Sequence, residues 1–577
     1  MSSHDLVIRN GTIIDGSGSD RYSGDLAVTD GVITAVGQVV GRGRREVNAD
    51  GRLVQPGFVD IHTHYDGQAT WDPQLAPSSW HGVTTVVMGN CGVGFAPVKP
   101  ADHERLIQLM EGVEDIPGTA LHEGLPWAWQ TFEEYLDFVD SLEHDIDVGA
   151  QLPHAAVRLA VMGERGAARE PASPDDIAEM ADLARRAIQA GAVGFSSSRT
   201  LNHRSSLGEY TPTLNAEFDE LVGIAEAIGT TGKGVLQLIS DFVDFDAEFE
   251  LARAMGARSG RPISISVGQA AGRPHQWRRM LDAMAEATAD GVIMRGQVGA
   301  RPVGILMGLH STINPFMHCE SYKAIRDLPL AARVQQMRRD EVRSAILSEN
   351  LVDADSPLIG SRLVSKWNLM YVLGDPPNYE PDPSSSIMAQ ASARGIDPAS
   401  LAYDLLTEGD GTNLLYVPTI NFVDGNLDCV REQILHPASV PGLSDGGAHV
   451  GTICDVSFPT TLMQWWGRDR PHGRIRLETI VHKQARATAQ AVGFMDRGIL
   501  APGYKADINV IDFEALTLRS PTIVDDLPAG GKRFLQKVTG IDHTFVCGVE
   551  IASNSESTGA TPGRLVRGAT EQPNPPG

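Results

Sequence analysis

The segment Gly57-Phe58-Val59-Asp60-Ile61-His62-Thr63-His64 sets two imidazoles two residues apart at the end of a short apolar run. On a strand that spacing turns both side chains to one face, where a single metal ion can reach both. Solvent-facing histidines on a strand alternate in the same way, so the pair alone does not decide the matter. Further along, Gly89-Asn90-Cys91-Gly92 offers a thiol and Leu443-Ser444-Asp445-Gly446 a carboxylate. Each follows a β-rich apolar run, Val83 to Met88 and Val440 to Leu443, as expected where strand ends meet loops at the mouth of a parallel barrel. Cys91 also has a plain alternative as a buried structural cysteine.

Such groups act together only if the elements between them bring them to one place. From 55 to 495, apolar β-rich runs alternate with helical stretches, which argues for a parallel α/β arrangement. Pro174 to Gly191 carries Ile177, Met180, Leu183, Ala184, Ala187 and Ile188 at helical spacing, followed by the strand-like Ala192-Val193-Gly194-Phe195-Ser196. Similar steps end at Asp147 to Leu152, Val235 to Ile239, Pro262 to Val267, Val292 to Met294 and Val440 to Leu443. With the strands before His62 and Cys91 these make eight, the number a (β/α)8 TIM-like barrel requires. Residues 1–54 read as short alternating strands with Gly and Asp turns, and 496–552 has the same style. Both termini are therefore expected to form one small β-sandwich domain beside the barrel. Residues 320–410 break the rhythm with charged helical segments and the Pro-rich run from Asp375 to Pro383, which reads as an insertion packed on the rim in preference to a mobile lid. Residues 553–577, rich in Gly, Pro, Ser and Thr, read as an extended or disordered tail.

Bulk properties narrow the function classes. A chain of 577 residues exceeds one ordinary core, and 42% apolar residues suit a water-exposed globule. A net charge of −25, with no basic stripe, argues against nucleic acid as a partner. No apolar run approaches a membrane span, and Met1-Ser2-Ser3-His4-Asp5 has no basic-then-apolar leader, so a cytoplasmic protein with a small-molecule substrate is expected. Five cysteines at 91, 319, 429, 454 and 547 have no paired spacing, which argues against a disulfide framework. Whether the chain forms a homo-oligomer is left open.

The order His62-x-His64, then His81-Gly82-Val83-Thr84-Thr85 leading into Cys91, then Gly194-Phe195-Ser196-Ser197, then Ser444-Asp445-Gly446, resembles the amidohydrolase superfamily, and within it the N-acyl-D-amino-acid deacylase (D-aminoacylase) branch. Gly498 to Val510 is similar to the strand pair that returns to that superfamily's small β-domain. The resemblance implies two metal positions sharing the thiolate after the second strand. Carried over residue by residue, the first position uses His62, His64, Cys91 and Asp445, all present. The second would use histidines on the fifth and sixth strands, where this chain has Gln237 and Val267. A neutral amide is a poor zinc ligand and an isopropyl group none, so one Zn2+ ion is expected. His449, four residues after Asp445, reads either as a substitute ligand or as a residue that orients Asp445.

A metal ion lowers the pKa of a bound water and polarises a carbonyl, the two effects amide hydrolysis requires. The expected function is therefore metal-dependent hydrolysis of an amide or related C–N bond, with N-acyl-D-amino acids as the nearest analogue. Asp445 is the expected proton shuttle, held as a carboxylate by the adjacent cation. His203, in the loop after the fourth strand, is the candidate for polarising the carbonyl; this segment departs from the family pattern, so the role is not inherited. Arg199, Arg204 and Arg301 are the candidates for gripping a substrate carboxylate. His154 reads equally as support for the metal ligands and as a core histidine. A decarboxylase or deaminase on the same fold, and a non-catalytic metal-binding homologue, remain as alternatives.

Overall fold

The structure, a computed structural model, describes residues 4–353, 356 and 360–573. Its centre is a sheet of eight parallel strands: β1 (Phe58–Asp60), β2 (Val83–Met88), β3 (Asp147–Pro153), β4 (Gly194–Arg199), β5 (Val235–Ser240), β6 (Ile263–Val267), β7 (Met294–Val298) and β8 (Ser439–Pro441). Each strand pairs with its successor in sequence. The seam between β8 and β1 closes just beyond the strand ends. There Thr63 bridges Gly446 in parallel, His64 N–H donates to the Gly446 carbonyl (2.7 Å), and Asp445 N–H donates to the His62 carbonyl (3.1 Å). The backbone that shuts the barrel is thus the backbone that carries His62, His64 and Asp445.

The intervening helices follow from local signals. Pro174–Ala190 begins with a Ser173 cap whose hydroxyl accepts from Asp176 N–H, has Pro at its first turn, and ends at Gly191, whose φ of 115° only glycine adopts without strain. β7 lies later than the Val292 to Met294 run suggested. Its Gln297 turns inward to meet His62, and a polar inward residue breaks the apolar run that would have marked the strand.

Between β7 and β8 the chain builds a second body. A three-stranded antiparallel sheet (Val303–Met307, Leu414–Ile420 and Tyr371–Leu373) and helices such as Leu330–Met337 and Pro398–Thr407 share an apolar cluster with Phe316, Met337 and Leu406. The insertion is wider than 320–410 because the strands that bound it are as apolar and β-rich as barrel strands. Its Pro-rich segment is anchored to the rim: Glu380 pairs with buried Arg470 (2.8 Å) and accepts from Leu427 N–H (2.9 Å).

Strands from both termini are hydrogen-bonded into one nine-stranded sheet, with Leu53–Pro56 against Ile508–Ile511 as the join. Leu26, Val54, Leu500, Ile508 and Phe545 fill the core of this small β-domain. From it the hairpin Thr522–Leu527 and Gly531–Leu535 reaches the barrel mouth, where Phe534 N–H donates to the Val450 carbonyl (2.7 Å). The tail is extended and packed: Val566 N–H donates to Val148 O (2.7 Å), so its chain runs beside β3; 574–577 lie outside the described residues. Among the described residues no helix is long and apolar enough to cross a membrane, and the five cysteines are unpaired.

Candidate metal centre

Past Asp60, His62 and His64 stand two residues apart, and Thr63 between them donates its hydroxyl to the Val87 carbonyl of β2 (2.9 Å). One atom from each of His62, His64 and Cys91 lies within 4.8 Å of the others, and all three residues are buried. Cys91 Sγ sits 3.3 Å from His62 Nε2. Asp445 Oδ1 is 3.5 Å from His62 Nε2 and 3.8 Å from His64 Nε2. The four side chains picked out in the sequence therefore converge at the mouth end of the barrel.

The loops that deliver them are bent sharply. Cys91, Leu443, Asp445 and His449 have φ of 56°, 60°, 50° and 51°, the left-handed region that costs a non-glycine residue about 1–3 kcal/mol. Gly89 has a φ of 77°, and a Cβ there would stand 2.1 Å from the Gln151 carbonyl oxygen, so only glycine lets the loop after β2 turn back onto β3. Ser444 Oγ donates to Asp60, and His62 N–H donates to the same carboxyl (3.3 Å), pinning the end of β1 to the loop after β8.

Hydrogen bonds orient the rings. Gln297 Nε2 donates to Ser264 Oγ (2.9 Å), which leaves its Oε1 facing His62 Nδ1 at 2.5 Å. Nδ1 then carries the proton, and Nε2 keeps its lone pair toward Cys91 and Asp445. Burial holds His62 down to about 4 and, with His62, His449 and His203 nearby, holds His64 well below its ordinary value; both rings are neutral, as metal ligands must be. Burial, reinforced by Glu114, Asp445 and Asp66, pushes the Cys91 thiol well up, and burial pushes Asp445 up to about 7. The thiol needs a neighbouring cation to ionise at neutral pH, and a cation would carry Asp445 fully to the carboxylate. Neutral imidazoles beside a buried thiol and carboxyl fit a zinc ion chemically: the donor set is right in type and number.

Gln237 and Val267 stand on β5 and β6. Gln237 Oε1 accepts from Cys91 N–H (3.0 Å), so the amide holds the loop that presents the thiol, while Val267 is buried in the main apolar core. His203 Nδ1 meets Ser198 Oγ at 2.9 Å, and burial together with His449 and His62 lowers the ring to about 3. His154 is held between Ser197 Oγ (2.9 Å) and Glu220 (2.9 Å).

The three arginines divide. Arg199 is paired with Glu248 (2.7 Å). Arg301 is fully buried against Asp455 (2.9 Å) and Ser457 Oγ (2.9 Å), with its guanidinium 3.5 Å above the Tyr379 ring. Arg204 lies over Tyr210 at 4.1 Å and donates to its hydroxyl (2.6 Å); of the three, it alone has no carboxylate partner among the described residues. The next residue, Ser205, lines a cavity of about 340 Å³ together with Glu111, Asp115, Ser206, Thr312 and Thr452. Of its lining, Ser205 stands two residues after His203 and Thr452 three residues after His449 in the chain.

Two groups at the site were not read from the sequence, Gln297 and Glu114. Glu114 ends the helix His103–Glu114 on the stripe of Ile107 and Met110, and is buried. An acid at that spacing on an apolar face was the available signal.

The Amidohydrolase family matches residues 45–356 and 389–552. The D-aminoacylase of Alcaligenes xylosoxydans xylosoxydans is 24% identical over 97% of both chains, and the N-acyl-D-aspartate deacylase of the same organism 25% identical over 97% of this chain and 95% of its own. Among solved structures, an N-acyl-D-glutamate deacylase from Bordetella bronchiseptica, complexed with zinc and a phosphonate inhibitor, superposes with a TM-score of 0.64 at 23% identity, covering 98% of this chain and 99% of its own. A D-aminoacylase crystal structure gives the same TM-score of 0.64 at 22% identity, covering 98% of this chain and all of its own. With the family matched over most of its length and the barrel, the β-domain and the mouth cluster in place, the chain belongs to the amidohydrolase family and is a hydrolase of carbon–nitrogen bonds other than peptide bonds.

Proposed function

We propose that the chain hydrolyses the amide bond of a small N-acylated amino acid, with N-acyl-D-amino acids as the nearest analogues, using one zinc ion held by His62, His64, Cys91 and Asp445. The observation that carries this reading is the convergence of Cys91 Sγ and Asp445 Oδ1 on His62 Nε2, at 3.3 and 3.5 Å. When bound, zinc lowers the pKa of a water and polarises the substrate carbonyl.

The protein's own groups do the rest. Asp445, whose Oδ1 faces both imidazoles, takes the proton released by the attacking water and passes it to the leaving nitrogen. His203 stays neutral; with Nδ1 accepting from the Ser198 hydroxyl, its Nε2–H is the donor for the oxygen on which charge develops. Arg204 grips the carboxylate of the substrate.

Screening N-acyl-D- and L-amino acids and anilides alongside metal analysis tests this. Amine release from the D series and about one tightly bound zinc per chain are expected, the count following from Gln237 and Val267. A zinc-loaded chain that releases no amine from any of them refutes the substrate class, and two ions at bridging distance refute the single position. For Arg204, Leu in its place should raise KM for carboxylate-bearing substrates about 10–100-fold, from the loss of a charge-assisted hydrogen bond, and leave a neutral amide analogue unchanged. Equal losses on both would remove Arg204 from substrate binding.

A further inference from the structure

Glu114 is buried to 1% exposure, yet no Lys or Arg stands beside it and no hydrogen-bond donor reaches its side chain among the described residues. An acid taken out of water without a partner is costly, so something at this place must compensate it. Among the described residues, the cationic or donor groups in reach are two imidazoles: His64 Nδ1 lies 3.3 Å from Oε1 and His449 Nε2 lies 3.6 Å from Oε2. The need is reciprocal, since His64 Nδ1 is itself buried with no hydrogen-bond partner. The main chain locks the arrangement, because His449 N–H donates to the Glu114 carbonyl.

The two imidazoles of the cluster therefore differ behind the ring. His62 Nδ1 faces the neutral amide oxygen of Gln297, whereas His64 Nδ1 faces a carboxylic group. A carboxylate behind an imidazole fixes its tautomer and makes its other nitrogen a stronger donor. We propose that Glu114 is a positioning residue for zinc binding: it accepts a hydrogen bond from the Nδ1–H of His64, so that Nε2 is presented to the ion, and its second oxygen faces His449 Nε2. This rests on His64 being a zinc ligand, as proposed above.

The test is zinc competition against a chromophoric chelator, on the full chain and on Glu114→Gln and Glu114→Asp. Gln fills the same space and keeps an acceptor oxygen but lacks the charge; Asp keeps the charge and shortens the reach. Zinc affinity should fall about 10–100-fold for Glu114→Gln, with less loss for Glu114→Asp. In both, saturating zinc should restore most of kcat, and the thermal midpoint of the metal-stripped chain should stay near that of the parent. A purely structural role would instead move the metal-free midpoint and spare the affinity. A folded Glu114→Gln chain binding zinc within twofold of the parent overturns the proposal, as does a chain that cannot fold with Gln there. A parent chain without tight zinc would refute the metal reading itself, whatever the variants do.

Discussion

Asp445→Asn is expected to lower turnover by about 10²–10⁴-fold, the usual worth of a positioned acid–base group, while leaving most of the bound metal in place. Asparagine matches aspartate in size and tolerates the left-handed backbone at φ 50°, and the Asp445 N–H bond to the His62 carbonyl is independent of the side chain. The barrel seam should therefore survive, and the loss should be chemical. His62, His64 and Cys91 remain to hold the ion. Steady-state kinetics with metal analysis of the same preparation separates the two effects. Near-normal turnover in this variant would show that another group moves the proton, and His449 is then the residue to change.

Cys91→Ala should cost the chain its metal. A coordinating thiol is ionised by its cation, so alanine removes both a negative charge and a strong zinc bond, whereas a merely structural cysteine tolerates alanine with a small packing loss. The site argues for the first. The thiol is buried among Glu114, Asp445 and Asp66, which oppose its ionisation, and only a cation makes a thiolate favourable there. The Cys91 N–H bond to Gln237 persists in the variant, so the loop after β2 has reason to keep its shape. Cys91→Ser should do little better, because a neutral hydroxyl is a poorer donor to a borderline-soft ion. Both variants should fold, lose metal on dialysis against a mild chelator and regain little activity with excess zinc. A Cys91→Ala chain that keeps its metal and turns over like the parent would take the thiol out of the ligand set.

Much of this was legible because barrels signal themselves locally. Period-2 and apolar runs are nearest-neighbour properties of the chain, and β2 from Val83 to Met88 and the helix from Pro174 follow from them. The cluster was legible for a related reason: the ligands sit at strand ends, and the strand order places strand ends together. β7 was harder, since inward polar residues such as Gln297 interrupt the apolar run at the place where a site is built.

The amino-acid sequence by itself determined the fold class, the family resemblance and the four side chains that converge, because each of these depends on residue types at short spacings. Only the tertiary structure decided which charges are free and which are already paired. Arg199, Arg204 and Arg301 look alike in a sequence, but Glu248 and Asp455 come from distant segments to engage two of them. Glu114 was not singled out in the sequence; folding buries it against His64 and His449. Electrostatic partnership is a property of distances across the fold, between residues tens to hundreds of positions apart, and no local pattern records it.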